Sequence, residues 1–372
     1  MTPSSKVALV TGASGIQGLS LLKKLVDMDE WSHIRAVARS ELPVSSSKIT
    51  QINLDLNDKD ALSKGLREQG GPSVTHVFHL AFQGDTSNTD KTTFIWMANI
   101  VEALEKLGAP LEHVYFTQGG KYYGVHLGLW DQITVPWKDE PLKSGRHLPP
   151  NFYYDQEDWA IERVEKGAKW TWSATRPSAI IGYSLGYMNA LHFIATYGTL
   201  CKELGAPLRY PGSPDSFHVL NECVDVDLLT KCMLWLADTP SAHNSSYNVC
   251  NGDLFRWSQL WPALAEWFGI ETAPPQKIPL ASFMPKHEKT WKQIREKYAL
   301  KDIPYDKLAQ AEFAEMLVNI PQDAFTDVTK LRKAGFDGQK LWTRDVYVKW
   351  LNELAKQKII PDYPALRKEA DT

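Results

Sequence analysis

The sequence predicts an α/β fold built on a doubly wound parallel sheet, followed by a mostly helical C-terminal region. Three observations carry that prediction: short apolar runs alternate with helix-period segments through the first half, a glycine-rich turn sits at the first strand–helix junction, and helical patterns dominate the second half. KVALVT, Lys6 to Thr11, reads as the first buried strand, and Ile16, Leu19, Leu22 and Leu25 share one side of the helix after it. IRAVA (Ile34 to Ala38) and ITQINL (Ile49 to Leu54) are the next two strands. A helix from Asp58 to Glu68 leads to a fourth strand, VTHVFHLAF, Val74 to Phe82. The helix from Thr93 to Leu107 stops at Gly108-Ala109-Pro110. HVYFT (His113 to Thr117) and WTWSATRP (Trp170 to Pro177) complete six strands. Further on, helices are expected over Trp257 to Trp267, Trp291 to Leu300, Tyr305 to Asn319 and Trp342 to Gln357. The expected division is 1–187 for a dinucleotide domain, to which segments around 220–255 return, and 188–372 for a helical substrate-binding cap.

Composition excludes several classes. A chain of 372 residues with 43% hydrophobic and 23% charged residues buries an ordinary globular core. A net charge of −3 gives no reason to expect nucleic acid or an anionic membrane as partner. Cys201, Cys223, Cys232 and Cys250 are widely spaced, which argues for reduced thiols and against a disulfide framework or a zinc site. No apolar run approaches the length of a membrane span, and a cytoplasmic location is expected. His79, His113, His126, His192 and His218 are scattered without metal-ligand spacing, so no metal is expected. Most of the 14 tryptophans fall from Trp130 onward, where they suit a packed core or a large apolar pocket.

TGASGIQG, Thr11 to Gly18, places Gly12, Gly15 and Gly18 between the first strand and the first helix. Glycines there permit the tight turn, let backbone approach a pyrophosphate and let helix and strand pack closely. A Rossmann-type dinucleotide site follows from that placement, with Thr11, Ser14 and Ile16 in the same turn. The second strand ends Ala38-Arg39-Ser40, where a guanidinium suits a 2′-phosphate better than a bare ribose hydroxyl. NADPH is therefore the expected cofactor, held by Arg39 and Ser40. Asp55 stands where such folds contact the adenine, with Leu56 beside it, although it could equally cap the helix near Asp58. Leu80, Ala81, Thr117, Gln118, Pro177, Ser178 and Ile180 lie at or just past the carboxyl ends of strands on the ligand edge and complete the expected cofactor contacts.

Reduction of a carbonyl or an enone leaves charge on oxygen, and a phenol beside an ammonium can stabilise it. NFYYDQED offers Tyr153 and Tyr154, but the positions four residues on are Glu157 and Asp158, not lysine. Lys121, just past the fifth strand in YFTQGGKYYG, is the natural partner from another loop. Adjacent helical positions point about 100° apart, so only one of the two tyrosines is expected to face the nicotinamide and the other to pack in the core.

These stretches, together with TRPSAIIGYS, YPGSPDSF and YNVCNGDLFRWSQLWPALAEWFG, resemble the progesterone 5β-reductase/iridoid synthase family (PRISE). The resemblance implies an extended short-chain dehydrogenase/reductase that reduces 1,4-enones with NADPH, in which Lys121 and Tyr153 form the catalytic pair. Tyr122 stands where plant members have histidine, and GVHLGLWDQITVPWKDE, which is expected to line the pocket, is unlike the plant version. The tryptophan-rich second half suits a small apolar enone, enal or ketone as substrate, and a homodimer is allowed. A ketoreductase using the same pair, and an NADPH-binding sensor without turnover, stay open as alternatives.

Overall fold

The computed structural model describes residues 5–83, 90–128, 135–138, 150–184, 186 and 188–370. In chain order the elements are β1 (Lys6–Thr11), α1 (Ile16–Val26), β2 (Trp31–Val37), β3 (Ile49–Ile52), α2 (Lys59–Glu68), β4 (His76–His79), α3 (Thr92–Lys106) and β5 (His113–Thr117). Next come α4 (Phe152–Glu165), β6 (Thr171–Pro177), β7 (Ala179–Ile181), α5 (Ala190–Glu203), β8 (Leu208–Arg209), β9 (Cys223–Asp225), α6 (Val226–Ala237) and β10 (Ser245–Val249). The chain then continues through α7 (Trp257–Phe268), β11 (Thr272–Ala273), α8 (Leu280–Phe283), α9 (Glu288–Lys297) and α10 (Tyr305–Ala309). It finishes with α11 (Ala311–Leu317), α12 (Thr329–Ala334), α13 (Thr343–Lys356) and α14 (Tyr363–Ala370).

Two compact units share these elements. The first comprises Met1–Ser178, Val226–Val249 and Thr326–Gly338; the second comprises Ala179–Asp225, Cys250–Phe325 and Gln339–Thr372.

The first unit is organised by a seven-stranded sheet in the order β10-β6-β5-β4-β1-β2-β3, with every pairing parallel. Strand order reverses between β1 and β4, which makes that junction the topological switch point. The inner strands β1, β4, β5 and β6 are buried on both faces, as parallel strands covered by helices must be. One face carries Leu9, Val77, Val114, Phe116 and Ala174, packed with Leu62 and Leu66 of α2, Ile100 and Leu104 of α3, and Ala160 of α4. The other face is covered by α1 and α6, whose Leu21, Leu22, Leu229 and Met233 are fully buried. The seventh strand, SSYNV, has no apolar run to announce it.

β4 is shorter than the apolar run VTHVFHLAF suggests. It ends at His79 because the next two amides, of Leu80 and Ala81, both donate to Thr11 Oγ1 at 3.1 Å and so leave the ladder.

The second unit centres on α5, of which Ala190 through Cys201 are all buried. It packs with α7, α10 and α13. In α7, Trp257, Leu260, Trp261 and Leu264 are all buried, so its tryptophans serve the core. Asp253 accepts hydrogen bonds from the amide and hydroxyl of Thr343 at 2.8 and 2.7 Å, and thereby holds the start of α13. The helix expected over Tyr305 to Asn319 is two helices. Gln310 breaks it with φ +45°, and its side chain accepts from the Met188 amide at 2.8 Å and donates to the Lys307 carbonyl at 2.7 Å. Among the described residues no helix is long and apolar enough to cross a membrane, and no group of three metal-ligating side chains occurs.

Candidate active site

The glycine turn lies at the switch point of the first unit. Gly12 has φ +63°, and a Cβ there would meet the Leu80 carbonyl oxygen at 2.5 Å. A Cβ at Gly18 would lie 2.3 Å from the Gly12 carbonyl oxygen, so α1 crosses the turn at a distance only glycine permits. Gly15 is the N-cap of α1 and supplies no side-chain cap, and no acid occupies the first turn. Such a helix start, with open amides and the positive end of its dipole, suits an anion.

Thr11 is fully buried beneath the turn. Its hydroxyl receives the Leu80 and Ala81 amides and faces His79 Nδ1 at 3.1 Å, while His79 Nε2 faces the Thr93 carbonyl at 3.1 Å. A carbonyl only accepts, so Nε2 carries the proton and Nδ1 accepts from Thr11. Burial lowers the His79 pKa from 6.5 to about 4, which keeps the ring in that neutral form. Thr11 and His79 thus brace the Leu80–Ala81 backbone under the turn. His79 is a supporting residue the sequence reading left among scattered histidines.

At the end of β2, Arg39 and Ser40 are exposed, and Arg39 makes no ion pair among the described residues. The loop beneath them is tied by Gln51, which donates to the Ser40 carbonyl at 2.9 Å and accepts from the Leu42 amide at 3.3 Å. Asp55 is exposed and does not cap the following helix. It accepts from the Asn57 amide at 2.9 Å, and Asp58 is the N-cap of α2. Leu56 beside it is buried.

Lys121 lies in a 3-10 turn, Gly120–Tyr123, just past β5, and Tyr153 lies in the first turn of α4. Asn151 joins them: its Nδ2 donates to the Lys121 carbonyl at 2.8 Å, and its Oδ1 accepts from the Tyr153 amide at 3.0 Å. Two further links run beside that bridge. Tyr154 donates its hydroxyl to the Tyr122 carbonyl at 2.7 Å, and Gln118 Nε2 donates to the Tyr153 carbonyl at 2.9 Å. Tyr154 is thus half-buried and bonded to the lysine turn, instead of filling the core as expected. The Tyr153 phenol oxygen lies near Gly119, where a Cβ would sit 3.5 Å from it and 3.9 Å from the Pro177 carbonyl oxygen. Burial pushes the Tyr153 phenol above its ordinary range, so it stays a protonated hydrogen-bond donor at neutral pH.

Two expected cofactor contacts have side chains occupied otherwise. Gln118 is 3% exposed and spends its amide on Tyr153 and on Arg176 Nε, which donates to Oε1 at 2.8 Å. Thr117 donates its hydroxyl to Gln17 Oε1 at 2.8 Å, linking the end of β5 to the first turn of α1. Pro177 ends β6. The Ser178 Oγ that follows is buried without a hydrogen-bond partner among the described residues. Ile180 lies in the second unit, on β7 opposite Val224 of β9. Of the segment expected to line the pocket, residues 129–134 and 139–140 lie outside the described residues.

The fold is a Rossmann fold with solved structural neighbours. UDP-glucose 4-epimerase from Thermotoga maritima, at 15% identity, superposes with a TM-score of 0.62 over 94% of this chain and 99% of its own. In sequence, the chain is 29% identical to 3-oxo-Delta(4,5)-steroid 5-beta-reductase of Arabidopsis thaliana, over 95% of this chain and 93% of the relative. It is 30% identical to (S)-8-oxocitronellyl enol synthase of Catharanthus roseus, over 95% of this chain and 92% of the relative. The PRISE-like Rossmann-fold domain matches residues 8–361, and the chain belongs to that family and is an oxidoreductase.

Proposed function

We propose that the protein is an NADPH-dependent reductase of activated C=C bonds, adding hydride to the β-carbon of an enone or enal. The observation that carries this reading is the Asn151 bridge, which holds a lysine turn and a buried phenol together without a shared helix. A nicotinamide dinucleotide fits the residues present. The glycine turn and the uncapped start of α1 would take its pyrophosphate, Arg39 with Ser40 its 2′-phosphate, and Ser178 Oγ a polar group near its reactive end. Asp55 and Leu56 would flank the adenine, while the Leu80–Ala81 backbone would floor the turn. The bound cofactor supplies the hydride.

What the chain contributes is charge control at oxygen. As the β-carbon gains hydride, negative charge moves to the carbonyl oxygen of the substrate. Tyr153 donates a hydrogen bond to that oxygen, and the Lys121 ammonium adds positive charge beside it. The resulting enolate takes its proton from solvent, giving the saturated carbonyl. A small apolar substrate accords with the steroid and oxocitronellyl names of the two relatives.

The test is product identity after incubation with NADPH and a panel of enals and cyclic enones. Saturated carbonyl is the expected product; allylic alcohol with the double bond intact would instead make the protein a carbonyl reductase. Tyr153→Phe should lower turnover by about 100-fold or more while leaving NADPH affinity intact.

A further inference from the structure

Two residues beside the Tyr153–Lys121 pair, Gln118 and Tyr122, meet one buried guanidinium. Arg176, next to last in β6, is 1% exposed. Its Nη2 donates to Glu157 Oε2 at 2.8 Å and to Ser246 Oγ at 2.7 Å. Its Nε donates to Gln118, the residue whose amide holds the Tyr153 carbonyl. Its carbon centre lies 3.4 Å from the centroid of the Tyr122 ring, on the residue next to Lys121. Ser246 Oγ in turn donates to Glu157 Oε1 at 3.1 Å, closing the ring of contacts.

Glu157 is the residue four beyond Tyr153, one helical turn along α4. A carboxylate buried there requires a buried cation, and Arg176 supplies it from the neighbouring strand. Stability is a weak reason for such a pair, because apolar side chains of the same volume often serve as well. Orientation is a stronger one. A planar fork fixes several partners at set angles, which an ammonium cannot do.

We propose that Arg176 is a positioning residue for the Tyr153–Lys121 pair, fixing the first turn of α4 through Glu157 and Gln118 and the lysine turn through the Tyr122 ring. The proposal rests on the reductase reading of that pair. It assigns no contact with substrate to Arg176, which acts through Gln118 and Tyr122.

The experiment compares wild type, Tyr153→Phe, Arg176→Lys, Gln118→Met and the double variant Arg176→Lys/Gln118→Met. It uses NADPH with a cyclic enone on which the wild type is active, and reads kcat, KM, NADPH affinity by fluorescence and melting temperature. The expected result is a kcat lower by roughly 10- to 100-fold in Arg176→Lys and about 10-fold in Gln118→Met, with NADPH affinity within about twofold. The double variant should be no worse than Arg176→Lys, because both cut one chain of contacts. A purely structural role would lower the melting temperature and leave kcat per folded molecule unchanged, which would overturn the proposal while an inactive Tyr153→Phe upheld the reductase reading. Full turnover by Tyr153→Phe, or no NADPH oxidation by the wild type with any enone or enal, would overturn both. Should Arg176→Lys fail to fold, Gln118→Met decides alone, since it severs Arg176 from Tyr153 and leaves the Glu157 pair in place.

Discussion

The carboxyl and amino edges of the seven-stranded sheet are both rich in polar residues, yet they treat them in opposite ways. At the amino edge polar side chains mostly bond one another, although His243 Nε2 is buried without a hydrogen-bond partner among the described residues. His113 lies 3.0 Å from Thr171 Oγ1 and 2.8 Å from Ser173 Oγ, its ring 4.6 Å from that of His243, while His76 meets Thr75 Oγ1 at 2.8 Å. At the carboxyl edge the side chains hold backbone, as Thr11 holds Leu80 and Ala81 and as Asn151 holds Lys121 and Tyr153. The open start of α1, exposed Arg39 and Ser178 Oγ, which has no hydrogen-bond partner among the described residues, are the groups to which the proposed reading gives the dinucleotide. Polar side chains that bond one another serve stability, whereas side chains that fix backbone around an open helix start serve the shape of a site.

Damage at the two edges has different consequences. Gly12→Ala should have the largest effect, because its Cβ would collide with the Leu80 carbonyl and its φ of +63° disfavours any side chain. Loss of measurable dinucleotide binding, together with a markedly lower melting temperature, is the expected outcome.

Acid should act on both edges through stability. His76 and His79 have pKa values lowered from 6.5 to about 4, in each case mainly by burial, so the folded protein keeps them neutral down to that pH. The unfolded chain takes up those protons from about pH 6.5 downward. Between 6.5 and 4 the unfolded state therefore binds more protons, and stability falls by up to about 1.4 kcal/mol per pH unit for each ring, levelling off below 4. Urea midpoints across that range would measure it, and a flat profile would contradict the neutral assignment of both histidines.

Arg39→Ala belongs to the carboxyl edge alone. It should weaken NADPH binding by roughly 10- to 100-fold, leave NADH binding nearly unchanged and not alter the melting temperature. Equal weakening of both dinucleotides would remove Arg39 from the 2′-phosphate. His113→Phe is the smallest and belongs to the amino edge. It should cost about 1–2 kcal/mol, because the Thr171 and Ser173 hydroxyls lose a shared partner, and leave kcat unchanged. A substantial fall in kcat would show that the two edges are coupled.

Much of the carboxyl edge is legible in the sequence. The glycine turn, the arginine after β2 and the lysine after β5 sit at strand ends, and strand ends are visible as boundaries of apolar runs. The supporting residues were not legible. His79 read as one scattered histidine and Gln51 as one strand residue, because their roles depend on partners many residues away: Thr93 for His79, Ser40 and Leu42 for Gln51. Tyr154 was misjudged for a related reason. Helical geometry separates it from Tyr153, but only the path of the lysine turn brings a carbonyl to its hydroxyl.

By itself, the sequence determined the parallel α/β architecture, the glycine turn and the residues able to do acid and charge chemistry. These follow from local periodicity, turn chemistry and the side chains themselves. Tertiary structure alone decided which of them meet. The meeting of Lys121 with Tyr153 through Asn151, and of Arg176 with Glu157, Gln118, Ser246 and Tyr122, depends on strand order and helix placement. Those are set by burial summed over the whole sheet, and no single stretch of the chain contains that sum.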